Sequence, residues 1–230
     1  MMLDRMRRIP EQFSRFESQL HTLLGMYCWV MRLPEDAERQ FQAALRTTQD
    51  TELWTVDNLS LAIVYLLTCK ESDFYGLFER ITPSTLQSRS TPLKASAHFV
   101  YSLHSFLHSR LQEAKSHITD SVTIVRDEGI PRIQALATLL TAKLFPEGAP
   151  DMLVAGNNWA IKSCDQLLLM WANHLIYDLH SSYGNVEQAQ LVRAKLDQSH
   201  ACLSQSMEAA LKSPSHALIQ WEGGAETFQC

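Results

Sequence analysis

Leu23-Leu24-Gly25 is followed twelve residues after the glycine by Ala37, then by Phe41 and Ala44. Leu20, Leu23, Leu24 and Tyr27 mark one face of a helix, and Ala37, Phe41, Ala44 and Leu45 mark one face of the next. Pro34-Glu35-Asp36 opens that second helix. A proline there loses no hydrogen bond, because its N–H would be unpaired anyway, and acidic side chains suit the positive helix start. The small residues Gly25 and Ala37 predict two helices that cross closely enough to exclude a larger side chain. A single hairpin of this kind cannot bury its own apolar face, so it has to stack on further copies.

Copies follow along the chain. The second has Trp54, Leu61, Ala62 and Tyr65 on its first helix, with Phe74 in the Ala37 position and Phe78 in the Phe41 position. Phe74 is a bulky departure. Thr82-Pro83-Ser84 and a polar stretch through Pro92 end the unit. The third pairs Ser102 with Ala114, again twelve residues apart, and continues with Ile118 and Ser121. The fourth has Leu139, Leu140 and Leu144, after which Pro146, Gly148 and Pro150 break the pattern. The fifth runs from Trp171 through Tyr177 and Gly184-Asn185 to Ala189, and a long polar helix continues to about Leu211. The small positions fall at Gly25, Ala62, Ser102, Thr141 and Tyr177, at spacings of 37, 40, 39 and 36 residues.

The spacing resembles that of tetratricopeptide (TPR) repeats, whose period is about 34 residues. The fold expected is therefore all-α: a TPR-like right-handed helical solenoid of about five helix pairs over residues 1–212, with an extended C-terminal tail over 213–230. The repeat-defining core is Leu24, Gly25, Ala37, Phe41, Ala44, Leu61, Ala62, Tyr65, Phe78, Ala114 and Ala189.

Composition narrows the function. The 230 residues are 46% hydrophobic, which suits a globular chain, and carry a net charge of −5, which gives no global footprint for gripping nucleic acid. The cluster Arg5, Arg7, Arg8 and Arg15 is diluted by Asp4 and Glu11 and reads as a solvated helix face. Five scattered cysteines without a C-x-x-C pair point to a reducing, intracellular setting. The longest apolar run, Leu59 to Leu67, is half the length of a membrane span.

No chemistry stands out. His104 and His108 share a helix face, with His98 or His117 as a conceivable third ligand, but no H-E-x-x-H or other metal motif is present. Ordinary packing histidines, no metal and no cofactor are expected. There is no G-x-S-x-G elbow, Walker loop or G-x-G-x-x-G. Acidic pairs such as Glu35-Asp36 read as helix starts. The Lys and Asn donors with which some TPR domains clamp a C-terminal carboxylate are replaced by Thr22, Met26 and Val100. Candidate partner contacts are Tyr27, Tyr65, Trp171, His216 and Trp221.

Several stretches resemble one particular TPR family, the TPR subunit of the cohesin loader (chromatid cohesion factor family). They are Gln19 to Cys28, Asp36 to Phe41, Asn58 to Tyr65, Phe78 to Ile81 and Glu113-Ala114-Lys115. Trp171, Leu175, Asp178-Leu179 and Gly184-Asn185 keep the family's order. The segment Pro214 to Trp221 is similar to its P-E-H-N-L-I-T-W ending, which the repeat itself does not require. The resemblance runs from about Gln19 onward, is weakest between Ile118 and Ala160, and covers the C-terminal part of longer proteins, which places Met1 within a solenoid. It implies a non-enzymatic nuclear adaptor that wraps the N-terminal segment of the large Nipped-B-like loader subunit and reaches cohesin and chromatin indirectly. Two other readings stay open: a generic TPR scaffold in another assembly, and a helical metal-dependent hydrolase using His104 and His108.

Overall fold

The computed structural model describes residues 10–86, 89–126 and 130–220, with side chains from Phe16 onward. Helices α1 (Pro10–Val30) and α2 (Pro34–Thr47) form the first pair, and α3 (Thr51–Leu67) and α4 (Glu71–Phe78) the second. The third is α5 (Thr91–Leu107) with α6 (Leu111–Val125), and the fourth α7 (Pro131–Leu144) with α8 (Ala149–Ser163). Helices α9 (Gln166–Ser182) and α10 (Val186–Leu211) follow, and Pro214–Gln220 is a 3-10 segment. No strand occurs among the described residues, so the all-α helical-repeat class holds. The helices fall into two compact units, one of residues 1–86 with 210–230 and one of residues 87–209.

The turns inside the pairs share one design. Arg32, Cys69, Ser109 and Gly184 all have positive φ, between 58° and 70°. Each lies seven residues beyond Gly25, Ala62, Ser102 or Tyr177. The next residue's N–H then reaches back five positions: Leu33 to the Cys28 carbonyl, Lys70 to Tyr65, Arg110 to Ser105, Asn185 to His180. This left-handed cap satisfies carbonyls that the ending helix leaves open. Only Gly184 takes the conformation without steric penalty. Asp50 and Asp165 cap the starts of α3 and α9, each accepting two backbone N–H groups.

In the first unit α1 packs on α2, α2 on α3, and α3 on α4. Ala37, Ala44 and Ala62 are fully buried, and Leu24, Phe41, Leu61 and Tyr65 nearly so. A Cβ on Gly25 would lie 2.7 Å from the Phe41 ring, so the glycine makes room for that ring rather than for Ala37. Phe74 is buried and lies 5.2 Å from the Phe78 ring. Phe78, expected in the core, is half-buried because α4 ends there and the chain tightens into a 3-10 turn.

In the second unit α5 and α6 pack along their length, with Ala114 buried between them. The fourth pair, expected to be interrupted, forms a close α7–α8 hairpin. Its small residue is not at Thr141, which is half-buried and bonds its own helix at the Ala137 carbonyl. Gly156 on α8 takes that role: a Cβ there would meet Leu139 Cδ2 at 2.7 Å. The 3-10 turn Pro146–Gly148 replaces the left-handed cap, so the register shifts and the small residue changes helix. Leu139, Ala142, Ala149, Leu153, Ala172 and Leu175 form one core, with Trp171 packed against it. Helix α10 extends to Leu211, and among its residues only Ala189 and Val192 are buried. On α9, bulky Tyr177 stands in the small position, and it lines one cleft with Ala189 and Arg193 of α10.

Candidate functional site: a docked C-terminal segment

The polar groups of the first unit gather where the 3-10 segment Pro214–Gln220 lies on α1 and α2. The sequence suggests an extended tail there; the structure coils it and buries Ile219. Its backbone is held by side chains of α2. The Ile219 carbonyl accepts from Gln40 Nε2 at 2.7 Å and from Arg39 Nη2 at 2.9 Å. Arg39 also donates to Asp36 one turn earlier, at 2.8 Å, which fixes its fork.

Gln40 is completely buried, so its amide has to be paired on both sides. With Nε2 donating to the tail, Oε1 is the acceptor, and it lies 2.6 Å from His21 Nδ1 on α1. The chain of donors therefore runs from His21 to Gln40 to the Ile219 carbonyl, and sets Nδ1 as the protonated nitrogen of His21. From α1 the Tyr27 hydroxyl lies 2.9 Å from His216 Nδ1, with the rings edge to face at 5.9 Å. Burial raises the Tyr27 pKa, with Cys28 adding to it, which keeps the phenol a donor.

Two of the candidate partner contacts, Tyr27 and His216, thus meet each other, 189 residues apart in the chain. Tyr65 is buried and its hydroxyl accepts from Gln42 on α2. Trp171 is half-buried against the cores of the second unit. Trp221 and the basic cluster Arg5, Arg7 and Arg8 lie outside the described residues, as does the side chain of Arg15. Thr22, at a position used by carboxylate clamps, is buried and donates to Asp57 on α3 at 2.8 Å. Val100 is fully buried as well.

Asp57 is itself fully buried, and its second oxygen has no hydrogen-bond partner among the described residues. Burial pushes its carboxyl up to about 7, against the single opposing bond from Thr22. His104 is buried and accepts from Arg110 at 2.9 Å. Desolvation first, then the Arg110 and His108 charges, hold its pKa down to about 4. It is a packing histidine bound to its own turn, and neither it nor His108 belongs to the metal-capable group found among the described residues.

Helix hairpins in series, turning through a left-handed residue at Arg32, Cys69, Ser109 and Gly184, define a helical-repeat protein whose first pair also holds a segment of its own chain. The sequence profile of the cohesin loading factor family matches residues 2–187, and the chain belongs to that family. It is similar to a MAU2 chromatid cohesion factor homolog of Nematostella vectensis, at 29% identity over 214 residues. That match takes in 89% of this chain and 34% of the relative. The Drosophila melanogaster homolog of that name is 26% identical over 91% of this chain, and the Aedes aegypti one 27% over 92%, covering 34% and 35% of their own lengths. The chain thus spans about a third of the length of the curated relatives it matches. No solved structure matches. Among the described residues no helix is long and apolar enough to cross a membrane.

The tail clamp was not visible in the sequence. A short segment has no periodicity to read, and Gln40 looks like any polar residue of a helix. The one available signal was the family-like ending Pro214 to Trp221, whose persistence beyond the repeats calls for a structural partner.

Proposed function

We propose that this chain is a non-enzymatic adaptor of the cohesin-loading machinery, binding the large Nipped-B-like subunit and supporting cohesin loading onto chromatin for sister-chromatid cohesion. The observation that carries the reading is the family match across residues 2–187 of a chain whose helices form repeat hairpins. The work is done in the nucleus, with cohesin and chromatin reached through the large subunit. The negative net charge offers no electrostatic grip of its own on DNA.

The mechanism is coupled folding and binding. An extended segment of the partner would lose chain entropy and recover it as apolar burial along several hairpins. The docked Pro214–Gln220 segment supports this, because its contacts are those a foreign peptide would need: a carbonyl held by an amide and a guanidinium, and one aliphatic side chain buried. The alternative of a scaffold in another assembly would gain if no loader subunit co-purified. The test is co-purification of the folded chain with the N-terminal segment of the large loader subunit, with an unrelated TPR domain as control. Retention on this chain alone is expected; equal retention on the control would overturn the reading.

A further inference from the structure

We propose that the α5–α6 hairpin carries a site for a zinc-like divalent transition metal, with His98 Nδ1, His117 Nδ1 and Asp120 Oδ2 as its three protein ligands. The two imidazole nitrogens face each other at 3.4 Å, and the Asp120 oxygen is 3.5 Å from His98 Nδ1. All three ligand atoms lie within 4.8 Å of one another. Two nitrogens, each about 2.0–2.1 Å from a tetrahedral ion, stand about 3.3–3.4 Å apart, so the histidines already hold the separation that zinc requires.

The backbone register explains why these residues meet. Ser102 Oγ donates to the Ala114 carbonyl at 2.8 Å, and Ser121 Oγ to the Ala95 carbonyl at 2.9 Å. Those two bonds fix the antiparallel alignment of α5 and α6 on either side of residues 98 and 117. Asp120 follows His117 by three residues and so shares its helix face. The equivalent positions of the first pair are His21 and Gln40, four before Gly25 and three after Ala37, and there the pair captures a backbone carbonyl. In the third pair the same place holds a donor set with softer nitrogen ligands.

Two imidazoles with one carboxylate select zinc, copper or nickel over magnesium or calcium. Burial lowers the pKa of both histidines, with Asp120 working against it in each case, so both offer the neutral ring a metal needs. His98 and His117 are half-buried while Asp120 is exposed. An ion would therefore enter from the Asp120 side and keep a fourth position for water or for a donor from a bound protein. Its role is to staple α5 to α6.

The experiment is titration of the metal-free, thiol-reduced chain with Zn²⁺ by calorimetry and with Co²⁺ by visible absorption. One equivalent should bind, with the band intensity of a four-coordinate ion, and the unfolding temperature should rise. Asp120→Asn, on the surface and so neutral to folding, should weaken binding at least tenfold, and His98→Ala with His117→Ala should abolish it. His174→Ala should leave it unchanged. Absence of stoichiometric binding would overturn the proposal. So would undiminished binding by Asp120→Asn and the double-histidine variant, which would assign the metal to the exposed thiols of Cys69, Cys164 and Cys202.

Discussion

Two glycines show how far a residue's effect depends on what it faces. Gly25 sits under the Phe41 ring, and an added Cβ would approach it to 2.7–2.9 Å. Gly76, inside α4, has nothing within 4 Å. Gly25→Ala should therefore destabilise by about 1 kcal/mol after its helix-propensity gain is deducted, and Gly25→Leu by about 1–3 kcal/mol. Gly76→Ala should stabilise by about 0.5–1 kcal/mol. Thermal or urea unfolding checks both, and equal effects would remove the proposed tight crossing. Asp57 gives a pH test. Its folded pKa of about 7 is above the ordinary aspartate value of 3.8, so between those values the folded state binds more protons than the unfolded. Its contribution is therefore most favourable below about pH 4 and declines as pH rises through about 7. His104, held near 4, acts oppositely over its own window between about 4 and 6.5. Asp57→Asn isolates the first effect: the variant should gain on the wild type as pH rises from 4 to 8, by a few kcal/mol in all, when urea unfolding is followed at each pH. A constant difference would contradict the burial of a titrating carboxyl.

At the scale of elements, the sequence made the hairpins legible because each carries the same two constraints. A small or tolerated residue at the crossing and a left-handed turn seven residues later recur at Gly25, Ala62, Ser102 and Tyr177. Thr141 failed because Phe145 to Gly148 solve the turn differently, which moves the small residue to Gly156. No local pattern could show that, since it depends on how Leu139 meets the opposite helix. The docked segment was hidden for a related reason: its specificity lies in Gln40, Arg39 and Tyr27, far away in sequence. Ile219→Ala removes its buried anchor and should cost the docking about 2 kcal/mol. Hydrogen exchange should then rise in the Pro214–Gln220 peptide with the α1–α2 core unchanged. Unaltered protection of that peptide would show that the hydrogen bonds alone hold it.

For the whole molecule, the apolar stripes decided the class, and stacking of hairpins follows from faces that no single pair can cover. The residues that hold a partner were less legible, for a physical reason. Core positions are constrained by periodicity, whereas binding positions are set by the ligand, and aromatic residues chosen from the stripe tend to be packing residues. Tyr65 and Trp171 are spent on packing, and Tyr27 on His216. The polar helix α10, with Val186, Leu191 and Leu211 exposed, has surface to spare. The most direct measurement is a calorimetric titration of the folded chain with the N-terminal segment of the large loader subunit. The account predicts saturable one-to-one binding with a negative heat-capacity change, the mark of apolar burial. A folded chain that gives no saturable heat with that segment would contradict it.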